Sequence, residues 1–370
     1  MDELIAVEAA PPPPPPAWAT ATPERVGPPR IEHRFEFSGD AREYFRIWVV
    51  NLALSIVTLG IFSAWAKVRS ERYFYGNTRL AGEPFEYLAK PLPILKGRII
   101  AAVLFGSYVL AGHFGWKLQL GAAGVIALLT PWLIVRGAAF RARYSAWRGI
   151  NFRFVPDYYD AYIRYLLLGV PMILSLGLLY PYVKAKQKAF FVEQHRYGGT
   201  RFTFRATPGQ FYPPYLIAWG ALAGVMFALS IITGIIAAAA LSKGDDGAIP
   251  QWFVYAYLVP FYASYFVVWA FLAAALANLM YNHVDLGEHR FRSTLKGWQL
   301  LKIYATNTLA ILASVGFMIP WAKIRLARYR AESLSLLAAG DLADFRAGSR
   351  ADVDATAAEM DGLFDIDIGL

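Results

Sequence analysis

Polar and apolar residues along the chain fall into seven long apolar runs separated by basic connections. The runs are Ile47–Trp65, Ile94–Phe114, Leu118–Val135, Tyr165–Tyr182, Tyr215–Leu241, Phe253–Met280 and Ile303–Trp321. Each is long enough, or nearly so, to cross hydrocarbon as a helix, which takes about 20 residues at 1.5 Å apiece. Between them lie short stretches of the form Gly-x-x-Phe-x-aromatic: Gly82 with Phe85 and Tyr87, Gly149 with Phe152 and Phe154, and Gly199 with Phe202 and Phe204. Alternating aromatics after a glycine read as short strands or as extended segments at the membrane interface.

Three of the runs belong to longer units that repeat. Displaced by 256 positions, HRFEF at His33 falls on HRFRS at His289, and Asn51 falls on Asn307. In the same register Gly60 meets Gly316, Trp65-Ala66-Lys67 meets Trp321-Ala322-Lys323, Arg69 meets Arg325, and Arg72-Tyr73 meets Arg328-Tyr329. The matched positions are mostly polar, aromatic or glycine, so shared hydrophobicity does not explain them. A weaker middle copy appears at a displacement of 117, where Asp40 meets Asp157, Gly60 meets Gly177, and the Trp-x-Lys-x-Arg text becomes Tyr182-x-Lys184-x-Lys186.

Composition agrees with membrane residence. Of the 370 residues 57% are hydrophobic and only 17% charged, a balance rare in soluble proteins of this size. There is no cysteine, which excludes disulfides, thiolate metal sites and cysteine nucleophiles. The reading that follows is an all-α polytopic membrane protein, with internal repeat units carrying short aromatic extended segments and separated by two transmembrane helical hairpins. The units lie near 33–90, 150–205 and 289–335, and the hairpins near 94–136 and 214–281, within a membrane domain of 31–335. Residues 1–30 read as a Pro-rich tail without the features of a signal peptide, and 336–370 as an acidic tail ending FDIDIGL.

The net charge of +9 is informative through its placement. Basic residues crowd nearly every connection, and only HFGWKLQ at His113 and SKGDDGAIPQ at Ser242 are poor in them. Seven alternating spans would put a basic loop outside, against the positive-inside rule. If the three repeat segments dip from one side instead, every basic cluster and both tails fall on the cytoplasmic face of the inner membrane. Glycine near the deep end of each (Gly60, Gly177, Gly316) suits such a dip.

The candidate interfacial residues are Trp65, Lys67, Arg69, Arg72, Tyr182, Lys184, Lys186, Trp321, Lys323, Arg325 and Arg328. An indole at an apolar boundary followed by cations marks headgroup depth and faces anionic lipid. Two roles are open: plain topological anchors, or an anionic-headgroup pocket where units meet. Asn51 and Asn307 lie inside apolar runs, either as interhelical hydrogen-bonding groups or lining a polar path. No catalytic, cofactor or metal constellation is apparent, and membrane proximity accounts for the basic loops without nucleic acid. Transport, channel-like or lipid-interacting roles follow for a protein that is not an enzyme. The alternative is a scaffold recruiting partners through its tails.

The stretch NLALSIVTLGIFSAWAKVRSERYFYGNTRLAGEPFEY from Asn51 to Tyr87, with KPLPILKGRI from Lys90, resembles the YjgN family, a bacterial inner-membrane family also described as a domain of unknown function. The resemblance covers about His33 to Leu336, and the TLGIF-x-x-W-A-K-x-R block is its most specific part. The terminal FDIDIGL also looks like a family ending, whereas the middle copy departs from the block at Leu176 to Tyr182. The resemblance implies a polytopic protein of the bacterial inner membrane, and it brings no activity, substrate or catalytic residue.

Overall fold

The computed structural model describes residues 30–241, 251–340 and 342. The Pro-rich segment, the turn at Ser242 and the terminal FDIDIGL lie outside the described residues.

Among the described residues ten short strands pair antiparallel into one closed barrel. They are β1 (Ile31–Phe37), β2 (Thr78–Leu80), β3 (Glu83–Tyr87), β4 (Ser145–Trp147), β5 (Ile150–Phe154), β6 (His195–Tyr197), β7 (Thr200–Phe204), β8 (Val284–Leu286), β9 (His289–Ser293) and β10 (Leu334–Ala338). This corrects the all-α expectation. The Gly-x-x-Phe-x-aromatic stretches do form β3, β5 and β7, but they pair with three-residue strands too short to carry an alternation of their own. Closure needs β1 to meet β10, with His33 opposite Leu336, so the residue taken as the start of the acidic tail is a barrel residue.

Two-residue turns link β2 to β3 and β4 to β5. Ala81 (φ 51°) precedes Gly82 (φ 81°), and Arg148 (φ 51°) precedes Gly149 (φ 76°). Positive φ at both central residues gives a turn whose twist matches that of the flanking strands. Inside the barrel Leu80, Trp147, Ile150, Tyr197, Leu286 and Leu336 are buried together. One phenylalanine from each of β1, β3, β5, β7 and β9 (Phe35, Phe85, Phe152, Phe202 and Phe291) packs against them. Several of these rings stack: Phe35 on Phe85 at 6.0 Å, and Phe152 on Phe202 at 6.4 Å. Barrel closure removes the open edges that short strands would otherwise expose.

From one rim of the barrel rise five helical hairpins, each entered from one strand and returned to the next. Two are long: α3 (Pro91–His113) with α4 (Trp116–Arg143), and α8 (Tyr212–Leu241) with α9 (Gln251–Tyr281). These provide four helices long and apolar enough to cross a membrane, with mean hydropathies of 1.7 to 2.3. The other three are short: α1 (Ala41–Val57) with α2 (Ser63–Gly76), the broken α5 (Tyr158–Tyr162) and α6 (Gly169–Leu174) with α7 (Tyr180–Glu193), and α10 (Gly297–Ala313) with α11 (Ile319–Glu332). A π-helical turn, Ile163–Leu167, joins α5 to α6.

None of the three repeat segments is therefore one continuous span; each breaks and folds back. The break has the same geometry each time. The amides of Gly60, Gly177 and Gly316 reach back five residues to the carbonyls of Ser55, Met172 and Ile311, at 2.7, 2.9 and 2.8 Å. The three glycines have φ of +91°, +86° and +91°, where a Cβ is strained. The preceding residue is also left-handed, at φ 50° for Leu59, 53° for Leu176 and 50° for Val315. This satisfies helix-end carbonyls as a Schellman-type cap does.

Candidate functional site

The interfacial residues sit on the second helix of each short hairpin, and many of them hold the fold. The Tyr73 hydroxyl donates to the Asp40 carbonyl at 2.9 Å and accepts from the Asp40 amide at 2.8 Å. Tyr329 does the same at Lys296, at 3.2 and 2.8 Å. Each tyrosine thus pins the start of the first helix of its hairpin. Arg72 donates to the carbonyls of Tyr87 and Ala89, and Arg328 to that of Gly39 at 3.0 Å. Both arginines fasten a short hairpin to the chain leaving a neighbouring strand.

Cations also lie over rings. Arg69 lies 6.0 Å from the Phe62 ring centroid, Lys186 5.6 Å from Tyr182, Lys184 5.3 Å from Tyr180, and Arg325 5.2 Å from Trp321. Such contacts suit a membrane boundary, where the ring is half in hydrocarbon and the cation reaches water. Trp65 packs beside the buried cluster of Ala64, Val68 and Ile94, with its ring stacked on Phe62 at 6.0 Å.

The two asparagines are buried and tie the arms of their hairpins. Asn307 Nδ2 donates to the Ala322 carbonyl at 3.2 Å, and Asn51 Nδ2 to the Ala66 carbonyl at 3.5 Å. Arg325 completes the Asn307 side chain by donating to Oδ1 at 3.3 Å, whereas Oδ1 of Asn51 has no hydrogen-bond partner among the described residues. Both Nδ2 groups make interhelical hydrogen bonds, and Asn307 also lines a groove.

Lys67 and Lys323 occupy matching positions in different surroundings: Lys67 is half-buried and Lys323 is exposed. Lys67 lies within electrostatic range of Arg98, Glu71 and Arg141, so three cations from α2, α3 and α4 converge with one carboxylate. Arg98 donates to the Ser63 hydroxyl, one turn from Lys67 on the same face of α2. Lys323 lines a groove of about 390 Å³ with Asn307, Phe266, Trp269 and Ile311.

Deeper, against the barrel, lies a cavity of about 680 Å³. Its floor is Phe35, Phe85 and Phe152, and its walls carry Tyr75, Arg141, His195, Tyr281, Tyr304 and Arg330 between alanines and leucines. Tyr304 lines both spaces, so they adjoin, and its hydroxyl accepts from Arg330 at 3.3 Å. Among the described residues no Asp or Glu lines either space. Burial holds the His195 imidazole below its ordinary value, opposed by its contact with the Phe191 carbonyl and helped by the charge of Arg141. Arg141, His195, Tyr304 and Arg330 were not singled out as site residues from sequence. Arg141 lies on α4, His195 on β6, and Tyr304 and Arg330 on the two arms of the α10–α11 hairpin, and barrel closure brings these three parts of the chain together.

Comparison with known proteins places the chain. The family described as "Bacterial protein of unknown function (DUF898)" matches residues 32–363. Inner membrane protein YjgN of Salmonella typhimurium is 24% identical over 361 residues, covering 84% of this chain and 89% of the relative. Inner membrane protein YjgN of Escherichia coli strain K12 is 27% identical over 157 residues, or 40% of this chain and 37% of the relative. No solved structure matches the chain. With its match spanning the barrel and all five helical hairpins, the chain belongs to the DUF898, or YjgN, family of bacterial proteins.

Proposed function

We propose that this is a non-enzymatic, lipid-interacting protein of the inner membrane, seated with its barrel on the cytoplasmic face and its three short hairpins dipping into the inner leaflet as copies of one unit. The observation that carries this is the apolar tip of every short hairpin. Leu59 and Leu176 are each 94% exposed and Val315 is 88% exposed, flanked by exposed Val57, Ile61, Leu174, Leu178 and Phe317. In water this would be three bare apolar knobs; in hydrocarbon it is an anchor. The lysines and arginines begin about two turns past each tip, at Lys67, Lys184 and Lys323, and run from there toward the barrel, where they suit anionic headgroups at about 1 kcal/mol each. The two long hairpins complete the span.

A channel along the barrel axis is not favoured, because Trp147, Tyr197 and Leu336 fill the barrel interior. The scaffold alternative depends on the tails, which lie outside the described residues.

The test uses single cysteines in a chain that has none. Glu83→Cys, Asn151→Cys, Gly199→Cys and Glu288→Cys, one per β-hairpin, should all react with an impermeant maleimide from the cytoplasmic side. Lys117→Cys, at the turn of the first long hairpin, should react only from the periplasmic side. Periplasmic labelling of any barrel position would refute the seating.

A further inference from the structure

We propose that the central cavity receives the phosphate headgroup of an anionic phospholipid drawn from the surrounding leaflet, with its chains lying in the adjoining groove. The proposal rests on the seating argued above.

Three features point to this ligand. The first is size and lining. A cavity of about 680 Å³ lies within the range of about 300–1,000 Å³ usual for ligand sites, and its mostly apolar wall with a few placed polar groups is also usual for them. The second is charge. Arg141 and Arg330 enter the cavity, Lys323 enters the groove, and neither space is lined by a carboxylate among the described residues. Guanidinium groups match phosphate oxygens in both charge and donor geometry.

The third is the order of polarity along the helices. On α9 the groove takes Phe266 and Trp269, then the cavity takes Ala273, Ala277 and Tyr281. On α10 and α11 the groove residues Ile311 and Ile319 likewise lie toward the hairpin tip, while Leu300 and Arg330 lie toward the barrel. Arg141 and Arg330 thus sit at the barrel end, and the groove toward the tip is apolar apart from Tyr304, Asn307, Thr308 and Lys323. A lipid of the cytoplasmic leaflet has this same polarity when the barrel is cytoplasmic. The run from Phe266 to Tyr281 rises about 22 Å at 1.5 Å per residue, close to half of a bilayer's full thickness of about 40–45 Å. A soluble anion would use the arginines but leave the groove unused.

Native mass spectrometry of the detergent-purified full chain tests this. Phosphatidylglycerol is expected to be retained in preference to phosphatidylcholine. Arg141→Gln with Arg330→Gln should lower phosphatidylglycerol retention about tenfold, the scale of one or two charge-assisted hydrogen bonds. Ala277→Trp, which fills the cavity and keeps both arginines, should lower it equally. Arg79→Gln, an exposed cation on barrel strand β2 that lines neither space, should leave it unchanged. Unchanged retention in both cavity variants, with melting temperatures near that of the parent, overturns the proposal. Displacement of phosphatidylglycerol by glycerol phosphate at equal concentration overturns it as well, in favour of a soluble anion. A failure of the seating would appear separately, in the maleimide labelling.

Discussion

A single substitution at a hairpin tip distinguishes a tip in water from a tip in lipid by the sign of its effect. Leu59 sits at φ 50° with 94% of its surface exposed. The left-handed conformation costs an ordinary residue about 1–2 kcal/mol, and aspartate tolerates it better than leucine. If the tip were in water, Leu59→Asp would remove both the strain and an exposed apolar side chain, and would stabilise the protein by about 1 kcal/mol. The helix lengths argue otherwise. The 17 residues of α1 rise about 25 Å from the barrel rim, whereas the 30 residues of α8 rise about 45 Å, the full thickness of a bilayer with its headgroups. On the seating proposed above, the tip lies near the bilayer midplane. There leucine is favourable by about 0.6 kcal/mol and aspartate unfavourable by about 3 kcal/mol, so the exchange costs about 2–3 kcal/mol after strain relief. Thermal unfolding in lipid nanodiscs reads the difference, and a nitroxide on Leu59→Cys reads the depth through its contact with oxygen and with a water-soluble nickel chelate. A stabilised Leu59→Asp variant, or a nitroxide open to the chelate, would refute the midplane placement.

Three further outcomes follow from the geometry. Gly316→Ala meets no close contact, since the nearest atom to a new Cβ is Ile319 Cδ1 at 3.6 Å, so its cost is the backbone strain at φ +91°, about 1–2 kcal/mol, seen as a lowered melting temperature. Asp285 on β8 accepts from Arg205, the residue just after β7, through both carboxylate oxygens, at 2.5 and 3.0 Å; Asp285→Ala should cost about 1–3 kcal/mol in denaturant unfolding. The His195 imidazole is held below its ordinary value of 6.5, so the folded chain binds fewer protons there than the unfolded chain; this contribution is complete above 6.5 and is lost as pH falls through and below that value. Melting temperatures between pH 8 and pH 5 should therefore fall more steeply in the parent than in His195→Gln.

Much of the membrane part was legible in the sequence. Runs of apolar residues longer than the hydrocarbon core define α3, α4, α8 and α9, because a spanning helix must satisfy its backbone within itself. The displaced match at Gly60, Gly177 and Gly316 located the three breaks, because only a particular backbone geometry fixes glycine at a helix end. The left-handed residue before each glycine was not legible. Leu59, Leu176 and Val315 look like ordinary apolar positions, and it is exposure at the tip that makes an apolar side chain worth its strain. The repeated Arg72-Tyr73 and Arg328-Tyr329 were read as boundary cations and rings, and the structure gives them hydrogen bonds to the backbone.

The chain's own residues thus determined the spans, the charged boundary and the turning points, all of which depend on neighbours a few positions apart. The barrel and the cavity were decided only by the tertiary structure. Strands of three to five residues carry almost no periodic signal, and β1 finds β10 across some three hundred residues. Tyr75, Arg141, His195, Tyr304 and Arg330 become one site because ten strand pairings bring five hairpins around a common axis. Pairing between distant strands is set by the free energy of closing the whole ring, which no local stretch of sequence encodes.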